Sequence, residues 1–173
     1  MIIYKKYLIF STILLSLTIL FGCMIYGTPT ARKTIEAYYD SLNQDHFVEA
    51  TDFLYINDLM LKEARIEGYK ELNAYYSELE IIPFADILKS NDQINFMDYE
   101  GDIPGICERF LVKGIVEYSS GWGAVPSGPF STSLVLVNLN NKWIIVGEGA
   151  PTANGCTRAI EITGIDVASE DEE

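Results

Sequence analysis

The chain has 173 residues, 25 of them Asp or Glu against 12 Lys or Arg, giving a formal net charge of −13 with its single histidine neutral. Phosphate backbones and anionic headgroups repel such a surface, so charge-driven binding to nucleic acid or directly to anionic lipid is excluded. Three cysteines without a Cys-x-x-Cys pair, and one histidine, do not complete a tetrahedral metal site, and neither a metal nor a cofactor is expected.

Lys5 and Lys6 precede a stretch, residues 7–21, that is apolar or hydroxylic throughout, and no acid appears before Glu36. This is the pattern of a secretory signal peptide. Leu20-Phe21-Gly22-Cys23 then resembles the lipobox of bacterial lipoproteins. The resemblance implies cleavage before Cys23 and a diacylglycerol on its sulfur. Residues 1–22 are then the signal peptide, 23–29 a short tether, and the domain sits lipid-anchored on the extracytoplasmic face of the bacterial cell membrane. Two acyl chains, at about 0.8 kcal/mol per buried methylene, suffice for lasting attachment. Phe21 is larger than the residue usual at its position. Residues 7–26 also approach the roughly 20 that cross a bilayer, so an uncleaved anchor is the alternative. Both readings put the domain outside the cytoplasm.

Disulfides persist in that compartment, which makes Cys107 and Cys156 natural partners. The 49-residue separation would give roughly 4 kcal/mol in the chain-entropy model. Two unpaired structural thiols are the other reading. Loss of the leader removes Lys5 and Lys6 and no acid, leaving ten basic and 25 acidic residues and a net charge of −15. Residues 30–168 are expected to form one domain, and the acidic tail 169–173, with nothing apolar to bury, is expected to be disordered.

Ile35, Tyr38, Tyr39 and Leu42 recur at helical spacing, with Thr28-Pro29 suited to the cap and first turn. After Asn43-Gln44-Asp45 a second stripe, Phe47, Ala50, Phe53 and Leu54, predicts a short helix capped by Asp45. A third helix is predicted over 58–79 from Ile66, Tyr69, Leu72, Tyr76 and Leu79. The period then changes. Residues 109–118 alternate as a strand, with Arg109, Lys113 and Glu117 on a solvated face. Residues 130–139 and 142–148 predict a hairpin about Asn140-Asn141, pairing Val137 with Ile144, Val135 with Val146 and Leu136 with Ile145, so both its faces are apolar. A last strand over 159–167, bulged at Gly164, and a further one over 93–99 complete the reading.

Helices followed by antiparallel strands make an α+β domain with N-terminal helices packed on a curved antiparallel sheet. The opening Ala31-Arg-Lys-Thr-Ile-Glu-Ala-Tyr-Tyr-Asp-Ser-Leu42, the following Asp45-His-Phe-Val-Glu-Ala-Thr-Asp-Phe-Leu54 and the closing Leu134-Val-Leu-Val-Asn-Leu-Asn-Asn-Lys-Trp-Ile-Ile-Val146 resemble the nuclear transport factor two-like superfamily. That resemblance implies a cone-shaped domain over most of residues 30–150, and the extension past Pro151 departs from it.

Enzymes of that superfamily keep a carboxylate or histidine base inside the cone, and no such base stands out in this sequence. His46, beside Asp45 at a helix corner, reads as solvated. Asp98-Tyr-Glu-Gly-Asp102 has its glycine too early for a calcium loop. The Gly- and Pro-rich segment 119–129 carries Trp122, with Pro126 and Phe130 beside it, and is the candidate recognition loop. Tyr38 and Trp143 are the candidate cavity residues. The expected function is a tethered, non-catalytic binding or interaction module with a protein partner or self-association through the doubly apolar hairpin. The alternatives are a small apolar ligand-binding cone or an isomerase- or dehydratase-like enzyme.

Overall fold

The structure, a computed structural model, describes residues 30–90, 102–119, 127–149 and 155–165. Cys23 with the expected signal peptide, the strand expected over 93–99, Trp122, Pro126 and the acidic tail lie outside the described residues. Helix α1 (Ala31–Asn43) buries Ala31, Ile35, Tyr38, Tyr39 and Leu42 along one stripe, the face its sequence period predicts. Its cap is Thr30, two residues after the expected one, whose Oγ1 accepts the Lys33 N–H at 3.3 Å. The corner after α1 turns through Asp45, whose positive φ of 60° places it in the left-handed region. Asp45 is therefore not the cap of α2 (Phe47–Thr51). His46 holds that place and makes no side-chain capping bond.

Helix α3 (Leu59–Leu72) is capped by Asp58, whose carboxylate accepts the Met60 N–H at 2.7 Å and the Leu61 N–H at 3.3 Å. It ends at Asn73 in the left-handed conformation, not at residue 79. The chain then becomes strand β1 (Ala74–Pro83). The difference has a physical cause. Tyr76 and Leu79 both pack on the core across a bulge between Ser77 and Glu80, so core-facing residues fall three apart, as they would on a helix. Pairing with the next strand, and not local period, decides the conformation.

Helix α4 (Phe84–Ser90) follows directly, and strands β2 (Cys107–Tyr118), β3 (Gly128–Leu139) and β4 (Lys142–Gly149) complete an open antiparallel sheet in the order β1-β2-β3-β4. Asn140 and Asn141, with φ of 53° and 65°, form the two-residue hairpin turn that the sequence predicts. Opposite the β1 bulge, Gly114 admits the chain closely: a Cβ there would lie 2.7 Å from the Ser77 carbonyl oxygen. No side chain fits.

The main core lies between α1–α3 and one sheet face, where Ile35, Leu42 and Ala50 meet Val112, Leu134, Leu136 and Ile145. Helix α5 (Gly155–Thr163) covers the other face, packing Cys156 and Ala159 on Cys107 and Val137. This corrects the strand expected over 159–167. The β-branched residues there favour a strand locally, but Cys156, Ala159 and Ile160 recur at helical spacing onto the sheet, and Gly164, at φ +67°, ends the helix where a bulge was predicted. The second apolar face of the hairpin, read from sequence as a pairing surface, is thus covered by α5.

Cys107 and Cys156 sit at disulfide distance, with Cα atoms 5.8 Å apart. Each sheet edge is partly covered by side chains or loops of the α1–α3 layer. The Asn43 amide donates to the Tyr76 carbonyl and accepts the Tyr76 N–H, both at 2.7 Å, and Arg32 donates to the Ile81 carbonyl. On β4, the Tyr55 N–H bonds the Ile145 carbonyl and the Ile145 N–H the Phe53 carbonyl, both at 2.8 Å. Capped edges resist strand addition.

Candidate functional site: an aromatic cleft closed by an ion pair

The central positions of α1 present Tyr38 and Tyr39 to the sheet, and β1 and β3 bring Tyr76 and Phe130 against them. Tyr39, Tyr76 and Phe130 contact one another edge to face or tilted, with ring centroids 5.0 to 6.2 Å apart. These side chains, with Arg65 from α3 and Glu148 from β4, line a cleft of about 380 Å³. A volume of that order accommodates a small organic molecule.

One hydrogen-bonded chain crosses the end of the cleft. The Tyr38 hydroxyl donates to Glu148 Oε1 at 2.8 Å, and since that spends its one proton, the Tyr69 hydroxyl donates to the Tyr38 oxygen, also at 2.8 Å. Arg65 Nη2 lies 3.2 Å from Glu148 Oε2, and its guanidinium lies over the Tyr69 ring at 5.7 Å from the centroid. Both carboxylate oxygens are engaged.

Burial pushes the Tyr38 and Tyr39 hydroxyls far above the ordinary phenol range, and the Glu148 carboxylate adds to it. Burial, followed by Tyr118, pushes Tyr76 up to about 12. Tyr69 is raised in the same way by burial and then Glu148, against smaller opposing effects of Tyr38 and Arg65. At neutral pH the cleft is therefore lined by protonated phenols, which donate hydrogen bonds and present apolar ring faces.

Glu148 reaches this cleft because of a single extra residue. Regular pairing would set Val135 opposite Val146, as the sequence predicts, and Glu148 opposite Ser133 on the α5 side. The structure keeps Val137 opposite Ile144 and Leu136 opposite Ile145 but then pairs Val135 with Gly147 and Leu134 with Glu148, leaving Val146 as the extra residue of a bulge. Glu148 therefore takes the face of the core residue Leu134. Re-aiming a side chain is a recurrent role of bulges.

Among the residues expected from sequence, Tyr38 and Phe130 line the cleft. Trp143, 6 % exposed, is packed in the main core and does not line the cleft. Trp122 and Pro126 are outside the described residues. Arg109 corrects the solvated face expected on β2: it is 3 % exposed, lies over the Phe84 ring and bonds Asp102 at 3.1 Å. His46 is exposed and pairs only loosely, at 3.5 Å, with Glu49. Arg65 and Glu148 are the residues that sequence reasoning missed. Glycines on both sides of Glu148 mark an irregular strand end, yet they do not reveal the face to which the side chain turns.

Among the described residues, no group of three His, Cys, Asp or Glu could hold a metal ion, and no helix is long and apolar enough to cross a membrane. No known protein-family model matches the chain, and no curated protein is significantly similar to it.

Proposed function

We propose that the protein is a membrane-tethered, extracytoplasmic lipoprotein whose α+β domain is a non-catalytic binding module, taking a small ligand in the aromatic cleft. The observation that carries the reading is the state of Glu148. Among the described residues it is the one carboxylate that lines the cleft, and its charge is balanced by Arg65 while Tyr38 donates to it, an arrangement that suits orienting a charged group of a ligand. The aromatic wall supplies apolar contact and the ion pair supplies orientation, the usual division of labour in a ligand site.

The tether belongs to the same proposal. Its support is Cys23 after an apolar leader, together with a cysteine pair at disulfide distance, which suits an oxidising compartment. The finer fold assignment, a variant of the nuclear transport factor two-like cone, is supported by the α1–α2 corner packed on an antiparallel sheet with bulges in β1 and β4. An isomerase- or dehydratase-like activity is the second reading, favoured by the presence of a carboxylate at the cleft.

Native mass spectrometry of the full chain solubilised from membranes tests the binding role. Thr132 lines the cleft, and Thr132→Trp would fill it. The wild-type chain should carry a small molecule that Thr132→Trp loses, and equal occupancy in both would refute the assignment. A bound molecule that exchanges carbon-bound hydrogen in heavy water only while Glu148 is intact would favour the enzyme reading. Labelled palmitate should enter the wild type and not Cys23→Ala, and incorporation in the variant would remove the lipid anchor.

A further inference from the structure

The polar end of the cleft holds one positive and one negative group in contact, and that pairing restricts what can enter. The Arg65 and Glu148 side chains are 48 % and 26 % exposed, so they can part without unfolding anything around them. A ligand with a single negative charge would draw Arg65 away and leave Glu148 with the Tyr38 hydroxyl alone. A ligand with a single positive charge would take Glu148 and strand Arg65. Either exchange answers one charge of the pair and leaves the other to solvent, so a singly charged ligand gains less than one that answers both. A molecule bearing both charges on adjacent carbons replaces each partner in kind.

The rest of the site agrees with such a ligand. Tyr39, Tyr76 and Phe130 form a wall against which an apolar or aromatic body can pack. The Tyr69–Tyr38–Glu148 hydrogen-bond chain fixes the carboxylate that would receive an ammonium group, and Tyr38 and Tyr69 act here as positioning residues. Arg65 can meet a carboxylate with two parallel N–H donors, a geometry lysine does not offer. The chain's net charge of −13 disfavours the approach of net anions and leaves a neutral zwitterion unhindered.

We infer that the cleft recognises a small zwitterion with an apolar body, of the chemical class of an α-amino acid with an aromatic or branched side chain, its carboxylate on Arg65 and its ammonium on Glu148. This rests on the cleft being the binding site, and the test separates the two claims. Isothermal titration calorimetry of the detergent-solubilised full chain would compare four probes: L-phenylalanine, phenethylamine without the carboxylate, phenylpropionate without the ammonium, and the neutral phenylpropionamide. L-phenylalanine should bind at least about tenfold tighter than each of the others. Glu148→Gln and Arg65→Gln should each reduce that preference to less than about threefold, while Thr132→Trp should abolish binding of every probe. If a singly charged or neutral probe binds as tightly as L-phenylalanine and Thr132→Trp still blocks it, the zwitterion inference falls and the cleft remains a ligand site. If no probe binds, or if Thr132→Trp leaves binding unchanged, the inference and the cleft assignment fail together.

Discussion

A disulfide between Cys107 and Cys156, whose Cα atoms lie 5.8 Å apart, would fasten α5 to the sheet, and its removal should be strongly destabilising. The cysteines are separated by 49 residues, and closing a loop of that length in the unfolded chain corresponds to about 4 kcal/mol in the chain-entropy model. Against a typical domain stability of about 5–15 kcal/mol, that is a large fraction. Without the link, α5 keeps a small apolar cluster that includes Ala159 and Val137, and the hydrogen bond from the Tyr55 hydroxyl to the Ile162 carbonyl. Urea unfolding of Cys107→Ala/Cys156→Ala should show a midpoint lowered by about 2 M relative to the oxidised wild type. The melting temperature should fall by about 10 °C. Hydrogen exchange should show protection lost first in residues 155–163, while the β2–β3 amides stay protected. An unchanged midpoint, or an α5 as protected in the variant as in the wild type, would refute the reasoning.

Gly114→Ala should destabilise by about 1–3 kcal/mol, because its methyl group would meet the Ser77 carbonyl at 2.7 Å and the bulge would have to move, and denaturant melts measure this directly. Asn43→Ala removes two 2.7 Å hydrogen bonds from the Tyr76 backbone, at a cost of about 2 kcal/mol, and exposes the β1 edge, so size-exclusion chromatography should show concentration-dependent association. Alkali should unfold the protein. Tyr38, Tyr39, Tyr69 and Tyr76 are all raised above the ordinary value of 10.0 in the folded state, so the unfolded chain loses these protons first. Their contribution is fully present below pH 10.0 and is lost as pH rises through about 12, the value for Tyr76, at up to about 1.4 kcal/mol per tyrosine per pH unit. A phenolate titration in which all tyrosines ionise near pH 10.0 with the fold intact would contradict the buried cluster.

Much of this domain is legible locally. The α1 stripe, the Asn140-Asn141 hairpin and the placement of Tyr38 follow from period and turn chemistry, because a buried helix face and a tight turn constrain the very residues that form them. The α+β class follows from the order of those periods, and the two cysteines expected from sequence to pair lie at disulfide distance. Three features could be decided only by packing. Strand β1 hides in a helical spacing because its bulge sets core residues three apart, and α5 hides in a β-branched sequence until the sheet offers it a face. Glu148 enters the cleft through one unpaired residue at Val146, and Arg65 comes to it from a helix more than eighty positions earlier. Local sequence cannot specify a bulge or a long-range ion pair, because the free energy of each lies in partners supplied by other elements of the fold.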